Sequence, residues 1–321
     1  MSLLFYLIAI PGLILWIPIL IPCLFVAWQK QVKVSKKLGV SQTAIEIIHA
    51  RYTMHFFGLR NDPYSVSLAE ALPNAAPRAV LLCIYPLLLA HKITGQYRLY
   101  MRKPPAGREN MGDMVPVRTT HIDGFLRKII PDVAHFVSLG AGMDTRSLLF
   151  RKAGLHAIEV DQAHNQEFKL NILKTLQDDY SSVHYLPVDF EQDDLFLKLA
   201  ESEGFEADKP TVYLWEGVTL YLSEDAVRNT LRTLKTNSAP GSHLVCDFYS
   251  QKFLKKLNKL DAASSLEATG EGLLFGLDFT SEWGERLRAF VESEGLSVTE
   301  VHFLGAQGRS GPFMAVASIS L

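Results

Sequence analysis

Two glycines and three acids hold the chemistry that this sequence offers. Gly140 and Gly142 lie in Leu139-Gly140-Ala141-Gly142-Met143-Asp144-Thr145-Arg146, directly after the apolar run Ala134 to Leu139. Asp161 closes the next apolar run, Leu155 to Val160, and Asp189 and Glu216 close two more, Val183 to Val188 and Thr211 to Trp215. A glycine turn after a strand permits positive φ and lets a ligand approach the backbone, while the helix that follows offers unpaired N–H groups. An acid ending the second strand is placed to accept both ribose hydroxyls of an adenosine ligand. In the same site Asp189 would accept from the adenine amino group, with Phe190 stacking or donating its backbone N–H, and Glu216 would stand near a methionine part. Thr145 occupies the place of the third glycine of a dinucleotide fingerprint. A turn lacking that glycine is wider, and suits S-adenosyl-L-methionine better than NAD. Singly, Asp161 and Asp189 could instead cap the helices after them.

The elements that must position these residues alternate regularly. Helix-compatible spacing covers Met143 to Lys152, Gln162 to Leu176, Leu195 to Glu203 and Glu224 to Lys235, each between apolar runs, and Ser242 to Tyr249 reads as a fifth strand. Strands separated by helices predict a parallel, doubly wound α/β sheet that binds ligands at its carboxyl edge. After a helix over Trp283 to Glu294 come two strand-like runs, Ser297 to Leu304 and Pro312 to Ile319, joined by a glycine-rich loop. Such a pair is antiparallel, which gives a Rossmann-like sheet closed by a hairpin, the class I methyltransferase variant.

Composition excludes several classes. The 321 residues carry a formal net charge of −2, with no basic excess to attract nucleic acid. Cys23, Cys83 and Cys246 are dispersed and fit a reducing compartment, and no spacing suggests a metal site. Leu3 to Trp28 has no charged residue and is long enough to cross a bilayer, although Pro11, Pro18 and Pro22 leave open a bent span or a re-entrant hairpin. It is too long for a signal peptide and has no basic leader. Lys30, Lys33, Lys36 and Lys37 follow, which by the positive-inside rule keeps the rest of the chain cytosolic and against membrane lipid. The division expected is a membrane segment over 1–30, a basic linker and helical cap over 31–117, and a cofactor-binding domain over 118–321. Within the cap, Ser41 to Pro73 is amphipathic with a break at Asp62-Pro63. Ala79 to Ala90 is a buried or interfacial helix, and Lys92 to Val117 reads as a loop or lid.

Several blocks together resemble the leucine carboxyl methyltransferase family, which includes polyketide O-methyltransferases and tRNA carboxyl methyltransferases. They are Ser41-Gln42-Thr43-Ala44 with Arg51, Asp62-Pro63-Tyr64, Arg118-Thr119 with Ile122-Asp123, the Leu139 to Arg146 block, Glu159-Val160-Asp161, Pro187-Val188-Asp189 and Glu216-Gly217-Val218-Thr219-Leu220-Tyr221-Leu222. The resemblance implies that Arg51 and Arg118 hold the carboxylate of S-adenosyl-L-methionine, as an arginine fork can. It places Gly140 and Gly142 at the methionine part, Asp161 at the ribose, Asp189 and Phe190 at the adenine, and Glu216 beside the transferable methyl. The expected activity is O-methylation of a small-molecule or protein carboxylate. A carboxylate needs no base at neutral pH; a hydroxyl acceptor would, and Tyr221, His121 and His243 are the candidates. An NAD-dependent oxidoreductase and a non-catalytic membrane-tethered module are the alternatives. The acceptor pocket is expected to use the cap and Leu257 to Thr280.

Overall fold

The computed structural model describes residues 2–152, 154–176, 180–190, 192–259 and 272–321. Seven strands form one sheet: β1 (His135–Leu139), β2 (His156–Asp161), β3 (Val183–Pro187), β4 (Thr211–Trp215), β5 (His243–Tyr249), β6 (Ser297–Leu304) and β7 (Met314–Ser320). Their order is β3-β2-β1-β4-β5-β7-β6. β1 to β5 are parallel, whereas β7 runs antiparallel to both β5 and β6. The reason is the connection: helices return the chain between the first five, while the short loop after β6 can only reverse it.

β1 and β4 are buried along their whole length, so their side chains divide alternately between two apolar layers. Phe136, Val212, Leu214 and Val245 face α3 (Gln42–Phe56), α4 (Pro63–Ala71) and α7 (Met114–Ile129), meeting Ile45, Ile48, Leu68, Ile122 and Leu126. On the opposite face Val137, Ile158, Tyr213 and Leu244 pack against α10 (Leu195–Glu201), α11 (Glu224–Asn237) and α12 (Trp283–Glu292). The helices of the expected cap thus share a core with the sheet, which fixes α3 over its carboxyl edge.

Three local readings change. The helix expected over Met143 to Lys152 is only α8 (Arg146–Leu149), because the Asp144 carboxylate accepts from the Arg146 N–H (2.8 Å) and the preceding residues form a broad turn. Helix α7 begins at Met114, so the expected loop ends before Val117, and Arg118 lies inside the helix. The Asp62-Pro63 break begins a helix as well as ending one: Asp62 caps α4 by accepting from the Ser65 N–H (3.0 Å), with Pro63 in the first turn. Residues 260–271 of the expected acceptor segment lie outside the described residues.

At the amino end, α1 (Ser2–Trp28) runs without interruption through Pro11, Pro18 and Pro22. It continues through π-helical Gln29–Val34 into α2 (Ser35–Leu38), where Gly39 at φ +64° stops it. A continuous helix excludes the hairpin. Among the described residues this is the one helix long and apolar enough to cross a membrane. It packs against α5 (Pro77–Cys83) and α6 (Tyr85–Thr94), the two halves of the apolar run split around Ile84.

Gly140 leaves β1 at φ +68°, and a Cβ there would stand 2.6 Å from Val218 Cγ2. Gly140→Ala is expected to lower unfolding stability by about 1–3 kcal/mol in a denaturant titration, from positive φ and overpacking together.

Candidate active site

The carboxyl ends of β1, β2 and β4, the loop after β3 and the start of α3 enclose one cavity of about 280 Å³. It is lined by Arg51, Gly140, Gly142, Asp161, Asp189, Phe190 and Glu216, seven of the eight residues singled out from the sequence. Arg118 is the exception, since it does not line the cavity. It lies buried behind the turn after β4, with Nη1 3.6 Å from where a Cβ on Gly217 would be.

Each side chain is set by its neighbours. Asp161 accepts from the Gly142 N–H (2.6 Å) on Oδ2, and from the Gln162 N–H (2.7 Å) and Asn165 Nδ2 (2.8 Å) on Oδ1. A lone pair on Oδ2 stays available for a ligand hydroxyl. The carboxylate does not cap the next helix in the ordinary way; it bridges the glycine turn and the helix start. Beneath it, Glu159 points inward and is held by Ser147 and by Lys169 (2.6 Å), whose Nζ also donates to the Asp144 carbonyl (2.6 Å). This binds β2 and α9 (Ala163–Leu173) to the turn after β1.

Glu216 is the hub of a buried charge cluster. Its Oε2 accepts from Arg51 Nη2 (2.8 Å) and from Arg146 Nη1, and Oε1 stands 2.8 Å from Arg118 Nε. Arg51 and Arg146 both reach Asp144, at 3.2 and 2.6 Å, and Arg146 Nε donates to Asp123 (2.6 Å). Arg60 joins Asp123 (2.7 Å) to Asp62, and Asp62 also accepts from Thr145 Oγ1 (2.9 Å). Arg118 Nη1 reaches Asp247 (3.1 Å) and the Tyr249 hydroxyl (2.6 Å). The Thr145 hydroxyl therefore uses the place that a third glycine would keep open.

The field of the arginines governs the acids. Burial pushes the Glu216 carboxyl up, but Arg146, Arg118 and Arg51 outweigh it and hold the group at about 2. Asp144 and Asp123 are likewise held below the ordinary carboxylate range, against burial, by Arg146 together with Arg51 or Arg60. Asp247 goes the other way. Burial, reinforced by Glu216, lifts it to about 6 in spite of Arg118.

Glu216 lines the cavity, and both its oxygens face guanidinium groups. Sequence reasoning missed Asp144, Arg146 and Asn165, and it missed Asp247, whose signal was an acid inside the apolar strand Leu244-Val245-Cys246-Asp247-Phe248. His121 and His243 are not cavity residues: His121 stacks on His302 with ring centres 3.8 Å apart, and His243 starts β5 at the far edge. Tyr221 does line the cavity, 3.3 Å from Thr43 Oγ1.

A leucine carboxyl methyltransferase profile matches residues 44–235. The chain belongs to the leucine carboxyl methyltransferase family. Its cofactor, by family, is S-adenosyl-L-methionine. A relative from Mycolicibacterium vanbaalenii, provisionally named an S-adenosyl-L-methionine-dependent methyltransferase, is 30% identical over 202 residues, 61% of each chain. Another from Mycolicibacterium smegmatis with a similar name is 25% identical over 86% of this chain and 81% of its own. Among solved structures, a DUF574 family protein from Streptomyces avermitilis has a TM-score of 0.45 at 15% identity, covering 63% of this chain and 80% of that one. A 1,6-didemethyltoxoflavin N1-methyltransferase from Burkholderia thailandensis scores 0.42 at 12% identity, over 63% and 77%. These two likenesses are too remote to bear on function. The motif residues Arg51, Asp62, Arg118, Asp123, Asp144, Arg146 and Glu216 are seven of the nine members of the charge cluster, gathered from separate parts of the chain, with Arg60 and Asp247 the other two.

Glu216→Gln takes the ionised acceptor from three buried arginines at once, and it is expected to cost about 3–5 kcal/mol in equilibrium unfolding, since each keeps at most a neutral amide in its place. The pH profile has two parts of opposite sign. Glu216, Asp144 and Asp123 titrate lower in the folded state, so the stability they give is present above about pH 4.5 and lost as acid approaches pH 2. Asp247 titrates higher in the folded state, so its contribution is present below about pH 4 and lost as pH rises through 6. Asp247→Asn should flatten the stability profile between pH 4 and 6 and leave the acid limb in place; an unchanged profile would refute the assignment.

Proposed function

We propose that this protein transfers the methyl group of S-adenosyl-L-methionine to a carboxylate oxygen of a small lipophilic acid, working at a membrane surface bound by α1. One observation carries the reading: the acids ending β2 and β4 and the glycine turn after β1 line a single cavity with Arg51, whose Nε is buried without a partner. Arg118 Nη2 and Arg146 Nη2 are also buried and unpartnered just behind it. The Arg51 donor, on a residue that lines the cavity, is spare capacity for a ligand carboxylate, and the other two sit in the shell behind it.

The charge count agrees. Four arginines, at 51, 60, 118 and 146, meet five carboxylates, at 62, 123, 144, 216 and 247. With all of them ionised the cluster is one negative charge in excess, which favours a ligand with one net positive charge. S-adenosyl-L-methionine, with a carboxylate, an ammonium and a sulfonium, is such a ligand.

When bound, that cofactor supplies an electrophilic methyl group on sulfur, open to in-line displacement. The residues of this chain have the remaining tasks. Asp161, fixed by three donors, accepts from the ribose diol; Asp189 and Phe190 border the adenine. Ala44, Ile47, Val218 and Leu222 give the cavity an apolar wall suited to a lipophilic acceptor. Among the described residues lining it there is no histidine, and a carboxylate acceptor asks for none, being already ionised. The rate then comes from holding acceptor and methyl in line. The membrane part of the reading rests on the uncharged α1 and the lysines at 30, 33, 36 and 37 that follow it.

Calorimetric titration with S-adenosylhomocysteine is expected to show saturable binding that weakens at least about tenfold in Asp161→Ala, the loss of roughly one charge-assisted hydrogen bond. Equal affinity in the variant would remove Asp161 from the site. With methyl-labelled cofactor and a panel of lipophilic acids, the product should release its label as methanol in mild base, as a methyl ester does. A base-stable label would mean a hydroxyl or nitrogen acceptor, and binding without product would mean a non-catalytic module.

A further inference from the structure

We infer that α1 lies in the plane of the membrane as one part of a broad apolar face shared with α5 and α6, and does not cross the bilayer. The inference rests on the membrane reading above and specifies its geometry. A spanning anchor leaves its domain at one end; α1 stays on its domain from end to end. Near its start, Phe5 and Ala9 are fully buried in one cluster with Met54, Phe57 and Met101. At mid-length a Cβ on Gly12 would meet Pro86 at 3.1 Å, Trp16 Nε1 donates to the Leu82 carbonyl (2.7 Å), and its ring stacks on Tyr85. Beyond its end Gln31 donates to Glu46 (2.9 Å), and Ser35, fully buried, accepts from Asn74 (3.0 Å).

The decisive element is α3. Glu46, which accepts from Gln31 just past the end of α1, lies near its start, and Met54, in one apolar cluster with Phe5 and Ala9, lies near its finish, so both ends of the long helix are tied to α3 while α5 and α6 pack along its length. Yet α3 carries Arg51 into the cavity and packs on the sheet. If α1 crossed a hydrocarbon core of about 30 Å, the elements tied along it, α3, α5 and α6, would have to lie inside that core with it, and buried His49 and Arg51 would go with them. A helix lying along the interface avoids that cost.

The outward surface fits a bilayer. Leu7, Ile10, Ile14, Ile17, Ile21 and Leu24 recur at helical spacing along α1, and all are exposed. Leu82, Tyr85, Leu89 and Ile93 continue the exposed apolar surface onto α5 and α6. Leu15, on another side of α1, is 80% exposed, so the surface is wider than the narrow seam that pairs two helices. Lys33, Lys36 and Lys37 stand exposed at the end of the rod, where anionic head groups would meet them.

The test uses the full chain with an epitope before Met1, expressed in cells and recovered on sealed vesicles with their cytosolic face outward. After a high-salt wash, protease is expected to remove the epitope without detergent, because both ends of α1 are on the cytosolic side. Leu89→Glu with Ile93→Glu, two exposed positions remote from the cavity, is expected to lower the membrane-bound fraction about tenfold while S-adenosylhomocysteine affinity stays unchanged. An epitope protected until detergent is added overturns the in-plane geometry and leaves membrane binding standing. Unchanged binding of the double variant overturns the share given to α6. Recovery as a soluble dimer would overturn both this inference and the membrane reading, and assign the apolar face to a second copy.

Discussion

Burying charge in an apolar interior is costly unless every charge is met, and this protein buries four guanidinium groups together with five carboxylates at the carboxyl edge of its sheet. Such a cluster tolerates few arrangements. Glu216 holds Arg51 from α3, Arg118 from α7 and Arg146 from the turn after β1, so three separately folded elements are fixed at one point. Asp123 and Asp62 extend the constraint through Arg60 to the cap of α4 and to Thr145. Removing one partner leaves others unpaired, and for that reason the cluster enforces geometry more than it adds stability.

The site inherits this rigidity. The turn that carries Gly140 and Gly142 is tied at Asp144 and Thr145 to the ion cluster, and at the Gly142 N–H to Asp161. Lys169 bridges from α9 to the same turn through the Asp144 carbonyl and Glu159. A ligand seated between Asp161 and Arg51 therefore meets groups already held in place, and preorganisation of that kind is the chief thing a positioning enzyme needs. The cofactor would bring the reactivity; the chain brings alignment and an apolar stretch of cavity wall.

The amino-terminal helix belongs to the same design. Because α3 is locked into the sheet's core and into the charge cluster, anything packed along α3 takes its orientation from the site. α1 is tied to α3 near both ends and packed on α5 and α6, and so the apolar face it makes with them has a fixed relation to the cavity. An acceptor that partitions into lipid would reach a protein already oriented toward it.

Much was legible in the residues alone. The seven strands and their directions follow from apolar runs separated by helices and from the glycine loop after β6, since short-range periodicity determines strands and connection length determines direction. The strand-end acids Asp161, Asp189 and Glu216 and the glycines were likewise legible, because open sheets bind ligands at that edge whatever the details. Tertiary structure alone decided what those charges face. The fold pairs Arg118 with Glu216 behind the cavity wall, and it recruits Asp247 from the middle of a strand and Asp144 and Arg146 from a stretch that reads as helix. The extent of α8 and the course of α1 were settled in the same way. Pairing among buried charges depends on which distant segments meet and on how little water remains between them, and no local pattern in the chain encodes either.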